Sequence, residues 1–166
     1  SDSKIYHKSA VLYGLHFAAK AIQREGKVYL TEGYTDVIAL HKAGIENTVA
    51  TCGTALTALQ AKLLKRYCKR VVLLFDNDEP LPYDPSKDYP KKKVVEFEGF
   101  FYKALKDIIK KSGDADTDLA NFPEEWEQLE SKPRNAGKEA VTKALPKLLK
   151  EGFKVDVCFL PNGQDP

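Results

Sequence analysis

The chain has 166 residues, 43% of them hydrophobic and 30% charged, with a net charge of +2. That length supports a domain with a real core, and the composition excludes a disordered or fibrous chain. No apolar run approaches the roughly 20 residues that span a bilayer, and the polar start from Ser1 to Lys8 is not a secretory leader, so no membrane association is expected.

The apolar spacing predicts a helix over 7–24, with Val11, Leu12, Leu15, Ala18, Ala19 and Ile22 on its inner face and Gly26 ending it. A short strand is predicted at 27–31, followed at once by Glu32, Gly33 and Tyr34. Thr35 suits the cap of a helix running through Lys42, which Gly44 stops. A second strand is expected at 47–51, then a turn of small residues, Cys52-Gly53-Thr54, and a helix over 57–67. Residues 70–75 form the third and most apolar strand.

The composition then changes. Residues 79–135 open with Pro80, Pro82, Pro85 and Pro90, run through Lys91-Lys92-Lys93, and carry 10 basic and 13 acidic side chains, which leaves the rest of the chain at +5. Phe97, Phe100, Phe101, Leu105, Ile108 and Ile109 suggest an amphipathic helix over 94–111, and the acidic stretch 114–130 holds the lone tryptophan, Trp126. The segment is therefore expected to be a mostly helical insertion. Beyond it, a helix at 136–151 capped by Gly152 and a strand at 154–160 restore the alternation. Strand and helix in turn predict an α/β fold, with a mainly parallel four-stranded sheet, right-handed crossovers and helices on both faces.

Three cysteines, Cys52, Cys68 and Cys158, are too dispersed for a zinc site or a disulfide framework, so no zinc and a reducing, cytoplasmic setting are expected. No Met occurs, even at the first position, which suggests a piece of a longer protein. A moderately basic body suits a polyanionic partner, and equally an ordinary solvated surface.

Asp76 and Asp78 follow the third strand one residue apart, on the same side of an extended chain. Like charges so placed repel unless a cation lies between them. The same Asp-Asn-Asp, followed by Glu79-Pro80, also suits a turn. Glu32 follows the first strand and Asp165 lies five residues beyond Leu160 at the end of the fourth. Parallel strands bring all these carboxylates to one edge, the usual ligand edge of an open α/β sheet. Carboxylates without a Cys or His cluster suit Mg²⁺ or Mn²⁺ and phosphate chemistry. Gly33 and Gly53 permit close backbone approach by a ligand.

The order Glu32-Gly33-Tyr34-Thr35-Asp36-Val37, then Asp76-Asn77-Asp78, resembles the Toprim domain of primases, topoisomerases and some nucleases. His7-Lys8-Ser9-Ala10-Val11-Leu12-Tyr13-Gly14-Leu15, Ala43 to Asn47, Gly53-Thr54-Ala55-Leu56-Thr57 and Leu160 to Pro166 narrow the resemblance to bacterial replicative primases of the DnaG type. It covers 1–78 and 136–166, which implies a Rossmann-like Toprim catalytic core interrupted by 79–135.

The resemblance implies a nucleotidyltransferase that makes short RNA primers on single-stranded DNA from nucleoside triphosphates during replication. Glu32 would be a metal ligand or general acid/base. Asp76, Asp78 and Asp165, with Glu32, would hold the divalent ions, more than one in number. Lys8 would be a basic catalytic residue lining the nucleotide or template site, joined in binding by Gly33, Asp36, Gly53 and Thr54. Asp36 also suits an acid in the first turn of its helix. A zinc ribbon, a basic subdomain and a helicase-binding region would lie outside this chain, in a bacterial, nucleoid-associated protein, and these residues alone are expected to make no primers.

Two departures stand out. Asn77 occupies a position where the family usually has Gly, and the usual Ala-Gly is delayed to Ala136-Gly137 by the insertion. The insertion is expected to decorate the sheet edge, with a lid, a template contact or partner recruitment as the other roles. Competing readings are a Toprim nuclease or topoisomerase piece, and a non-catalytic nucleic-acid or protein-docking module.

Overall fold

The structure is a computed structural model, describing residues 7–51, 55–75, 79–84, 86–89, 91–109 and 124–159. In chain order the elements are a 3-10 turn (Lys8–Ala10), α1 (Leu15–Glu25), β1 (Lys27–Thr31), α2 (Tyr34–Lys42), β2 (Thr48–Ala50), α3 (Ala58–Lys65), β3 (Arg70–Phe75), β4 (Leu81–Pro82), β5 (Val94–Phe97), β6 (Phe100–Ala104), β7 (Trp126–Leu129), α4 (Ala136–Lys150) and β8 (Lys154–Phe159). They fall into two units, one from residues 1–77 and 136–166, the other from 78–135.

In the first unit β1, β2, β3 and β8 form one sheet in the order β2-β1-β3-β8, and every pairing is parallel. Parallel strands covered by helices read as near-continuous apolar runs, as Val71 to Phe75 does. Val28, Leu30, Val71, Leu73 and Phe75 share a buried cluster with Ala18 and Ile22 of α1, Ala61 and Leu64 of α3, and Ala144 and Leu148 of α4. The sheet core is therefore closed by three helices whose inner faces pair alanine with leucine or isoleucine. α2 packs on β1 and β2 outside that cluster, with Val37 buried.

The helix expected over 7–24 is shorter. Gly14 takes φ +79°, in the left-handed region that favours glycine, and α1 starts only after it. Before it the chain is extended: the Tyr13 N–H donates to the Ala50 carbonyl at 2.9 Å, and the Ala50 N–H returns a bond to Tyr13 at 3.1 Å. Apolar spacing does not register that edge pairing. The cap of α2 is Gly33 rather than Thr35, while α3 is capped as a box: Thr57 Oγ1 accepts from the Gln60 N–H at 3.1 Å and Gln60 Oε1 accepts from the Thr57 N–H at 2.9 Å.

The second unit overturns the expectation of a mostly helical insertion. Its described residues form a sheet in the order β4-β5-β6-β7, with β4 and β5 parallel and the other pairs antiparallel. The segment read as an amphipathic helix is a hairpin. Glu98 and Gly99 both take positive φ, +50° and +84°, which is the two-residue turn that matches strand twist. Val94-Val95 and Phe100-Phe101-Tyr102 are β-branched and aromatic residues that favour strands. The helical spacing of the phenylalanines arises from two strands read as one. Tyr89, Val95, Tyr102, Ala104 and Trp126 form a separate core, in which Tyr83 and Tyr89 meet Trp126 edge-on at 5.8 and 5.5 Å between ring centres.

Among the described residues no helix is long and apolar enough to cross a membrane.

Candidate functional site

The strand order sets the position of the site. β1 has β2 on one side and β3 on the other, so the chain reverses its direction of travel across the sheet at β1. In open parallel sheets ligands bind outside the carboxyl ends of the strands where that reversal occurs. Glu32 stands there, directly after β1, and is exposed. Its neighbours hold it. Thr31 is fully buried, and its hydroxyl lies 3.3 Å from the Gly33 carbonyl and 3.4 Å from the Val49 carbonyl, while its own carbonyl accepts from the Thr51 N–H at 3.3 Å.

Gly33 follows for a steric reason. Its N–H donates to Asp36 Oδ2 at 3.0 Å, and a Cβ on residue 33 would itself stand 3.0 Å from that oxygen. The other oxygen of Asp36 accepts from the Thr35 hydroxyl at 3.3 Å. Asp36 thus closes the start of α2, the role of a first-turn helix acid.

Glu32 opens onto a cleft of about 310 Å³. One wall comes from the sheet and the segment after β2: Thr51, Ala55, Leu56 and Phe75. The other is a single face of α4, Ala136, Glu139, Ala140, Lys143 and Ala144, spaced three and four residues apart as one helical stripe requires. Its alanines bring the helix close while leaving the space open. α4 is held in place by burial of Ala144 and Leu148 and by Lys147, whose ammonium donates to the Leu56 carbonyl at 2.6 Å. On the cleft face Lys143 lies 3.5 Å from the Glu139 carboxylate one turn earlier.

The turn that carries Lys8 is tied to the same edge. Thr57, next to the cleft residue Leu56, donates through its hydroxyl to the Ser9 carbonyl at 2.6 Å. Gln60, fully buried, donates through Nε2 to the Val11 carbonyl at 2.7 Å. The capping residues of α3 therefore also anchor the backbone on both sides of Ala10.

Of the residues singled out by sequence, the structure brings Glu32 into the cleft, ties the turn that includes Lys8 to the start of α3 through the Ser9 carbonyl, and gives Gly33 and Asp36 a joint place at the start of α2. Asp76, Asp78, Asp165, Gly53 and Thr54 lie outside the described residues. Sequence reasoning did not reach Thr51, Glu139 or Lys143. The legible signal was the stripe Ala136, Ala140, Ala144, with Glu139 and Lys143 each directly before one of its alanines.

Among the described residues no three or more His, Cys, Asp or Glu side chains group closely enough to hold a metal. The donors the cleft does offer, Glu32 and Glu139, are carboxylates, the donor type that suits Mg²⁺ or Mn²⁺ rather than zinc.

A family model described as Toprim-like matches residues 29–80, from β1 past the end of β3. The DNA primase of Aquifex aeolicus is 30% identical over 165 residues, which is 99% of this chain and 22% of that protein. The DNA primase of Helicobacter pylori is 47% identical over 78 residues, 47% of this chain and 14% of the relative. The chain thus spans less than a quarter of the length of these relatives. Among solved structures, the zinc-binding and RNA polymerase domains of the Aquifex aeolicus primase cover the whole chain at 28% identity and a TM-score of 0.63, with 27% of that structure matched. A DnaG primase catalytic domain bound to single-stranded DNA also covers the whole chain, at 25% identity, a TM-score of 0.59 and 36% of its own length.

Proposed function

We propose that this chain, a Toprim segment of the bacterial DnaG-type primase family, supplies the acidic face on which short RNA primers are made on single-stranded DNA during replication. The observation that carries the reading is Glu32, held in a cleft at the strand reversal of a chain whose whole length aligns with a primase.

In the proposed reaction a 3′-hydroxyl oxygen attacks the α-phosphorus of a nucleoside triphosphate. The O3′–P bond forms, the bond to the β-phosphate oxygen breaks, and pyrophosphate leaves. Glu32, Asp76, Asp78 and Asp165 would hold Mg²⁺ or Mn²⁺, more than one ion, which supplies charge neutralisation for the triphosphate when bound. Glu32 at the cleft mouth acts as a ligand or as the group that takes the hydroxyl proton. Lys8, Gly53 and Thr54 would contact the nucleotide or template, and the Gly33–Asp36 pair fixes the backbone beside Glu32. Template, triphosphates and the growing primer are the partners, the replicative helicase engages a region outside this chain, and the protein works in the cytoplasm at the nucleoid.

Substitution of Glu32→Gln, and separately of Asp76→Asn with Asp78→Asn, in the full-length protein tests this. Incorporation of labelled nucleotide on a single-stranded template is expected to fall by about 10²- to 10⁴-fold for Glu32→Gln, and to background for the double variant. Priming at the wild-type rate in both would refute the assignment. Loss of DNA cleavage with priming intact would instead favour a nuclease.

A further inference from the structure

We propose that Lys143 on α4 binds substrate phosphate in the cleft, an inference that rests on the reading that this cleft takes the phosphates of the priming reaction. Lys143 is the single basic side chain among the described residues lining the cleft, whose other charged liners are Glu32 and Glu139. Carboxylates on both walls repel a phosphate, and a fixed cation among them offsets that repulsion where the anion must enter. Lysine suits the task because its ammonium acts as a compact charge whose three N–H groups donate to phosphate oxygens in several directions.

The local packing fits the role. Ala140 and Ala144 flank Lys143 on the cleft face, and their methyl groups leave room around the ammonium. Ala144 and Leu148 are buried and Lys147 grips the Leu56 carbonyl, so Lys143 extends from a rigid wall. Its present partner is easily exchanged: the contact with Glu139 is 3.5 Å long, with the two side chains 62% and 42% exposed. Such i, i+4 surface pairs contribute little to stability. Glu139 holds the ammonium over the cleft until phosphate replaces it.

The phosphate comes either from the incoming triphosphate or from the nucleic-acid backbone, and both are measured in the full-length protein. Lys143→Ala, Lys143→Arg and wild type are compared for ATP affinity by equilibrium dialysis with Mg²⁺, for affinity to a single-stranded oligonucleotide across a salt series, and for KM and kcat of incorporation. A lost charge-assisted bond is expected to weaken ATP binding and raise KM by about 10- to 100-fold in Lys143→Ala, with kcat at saturation changed less and Lys143→Arg restoring most of the loss. If the backbone is the source, oligonucleotide affinity falls instead and its salt slope drops by about 0.7. A change below about twofold in both affinities would overturn the proposal, given an unaltered melting curve. If wild type made no primers, the primase reading would fail while the two binding measurements still decided Lys143.

Discussion

The parallel body and the inserted sheet use the same apolar residue types and reach stability differently. In the body, sixteen buried residues among those described, from strands, helices and the segments joining them, form one cluster dominated by Leu, Val and Ala. In the inserted sheet, five buried residues among those described form the core, and three of them are aromatic. A small core rests on a few large side chains, so each loss there removes a greater share of what holds the unit. The contrast shows how two units of one chain come to differ in their tolerance of change.

The largest expected effect sharpens that contrast. Trp126→Ala removes the ring that Tyr83 and Tyr89 meet edge-on, at a cost of about 3–5 kcal/mol. Amide exchange across β5, β6 and β7 is expected to rise toward the unprotected rate while β1 and β3 stay protected. Leu64→Ala, in the body, is expected to cost about 2–5 kcal/mol and to leave β5 to β7 protected. If either substitution deprotected both sheets equally, the two units would be one cooperative structure and the contrast would break.

A smaller effect is expected at Thr57, because it caps α3 and also holds the turn that bears Lys8. Thr57→Ala should cost about 1 kcal/mol in a thermal melt and speed exchange and proteolysis around residues 8–11. Thr57→Ser should restore both. A melt lowered without loosening at 8–11 would show that the Ser9 bond does not anchor the turn.

The smallest effect compares one hydrogen-bonded acid from each unit. The Arg70 side chain, hydrogen-bonded to Asp156, holds that carboxyl below the usual aspartate range, and the Ser86 hydroxyl and N–H do the same for Asp84. A carboxyl lowered in the folded state stabilises it above the unfolded value, and that contribution is lost as pH falls through the folded value. Asp156→Asn should therefore flatten the acid limb of the body's stability, and Asp84→Asn that of the inserted sheet, with little change near neutral pH. A loss of stability at neutral pH as large as that at acid pH would point to a packing role instead.

The two units also differ in how far residues alone reveal them. Strands from Lys27 and Arg70 were legible because buried parallel strands demand unbroken apolar runs, whereas the cap of α2, expected at Thr35, falls at Gly33. The place of Glu32 at the carboxyl end of a strand was legible because it follows an apolar run directly. The break at Gly14 was not, since it depends on Tyr13 pairing with an edge strand some forty residues away. Nor was the inserted sheet, whose phenylalanines satisfy helical spacing until Glu98 and Gly99 turn the chain back.

Local preference and periodicity, which depend on near neighbours, were enough to establish the parallel α/β body and the edge at which Glu32 stands. Pairing between distant segments decided the rest. It turned residues 94–104 into a hairpin, and it packed α4, distant in sequence, against β3 and α3 so that Glu139 and Lys143 line the same cleft as Glu32. No short window contains that juxtaposition, because closing a long loop brings together residues whose spacing carries no trace of the meeting.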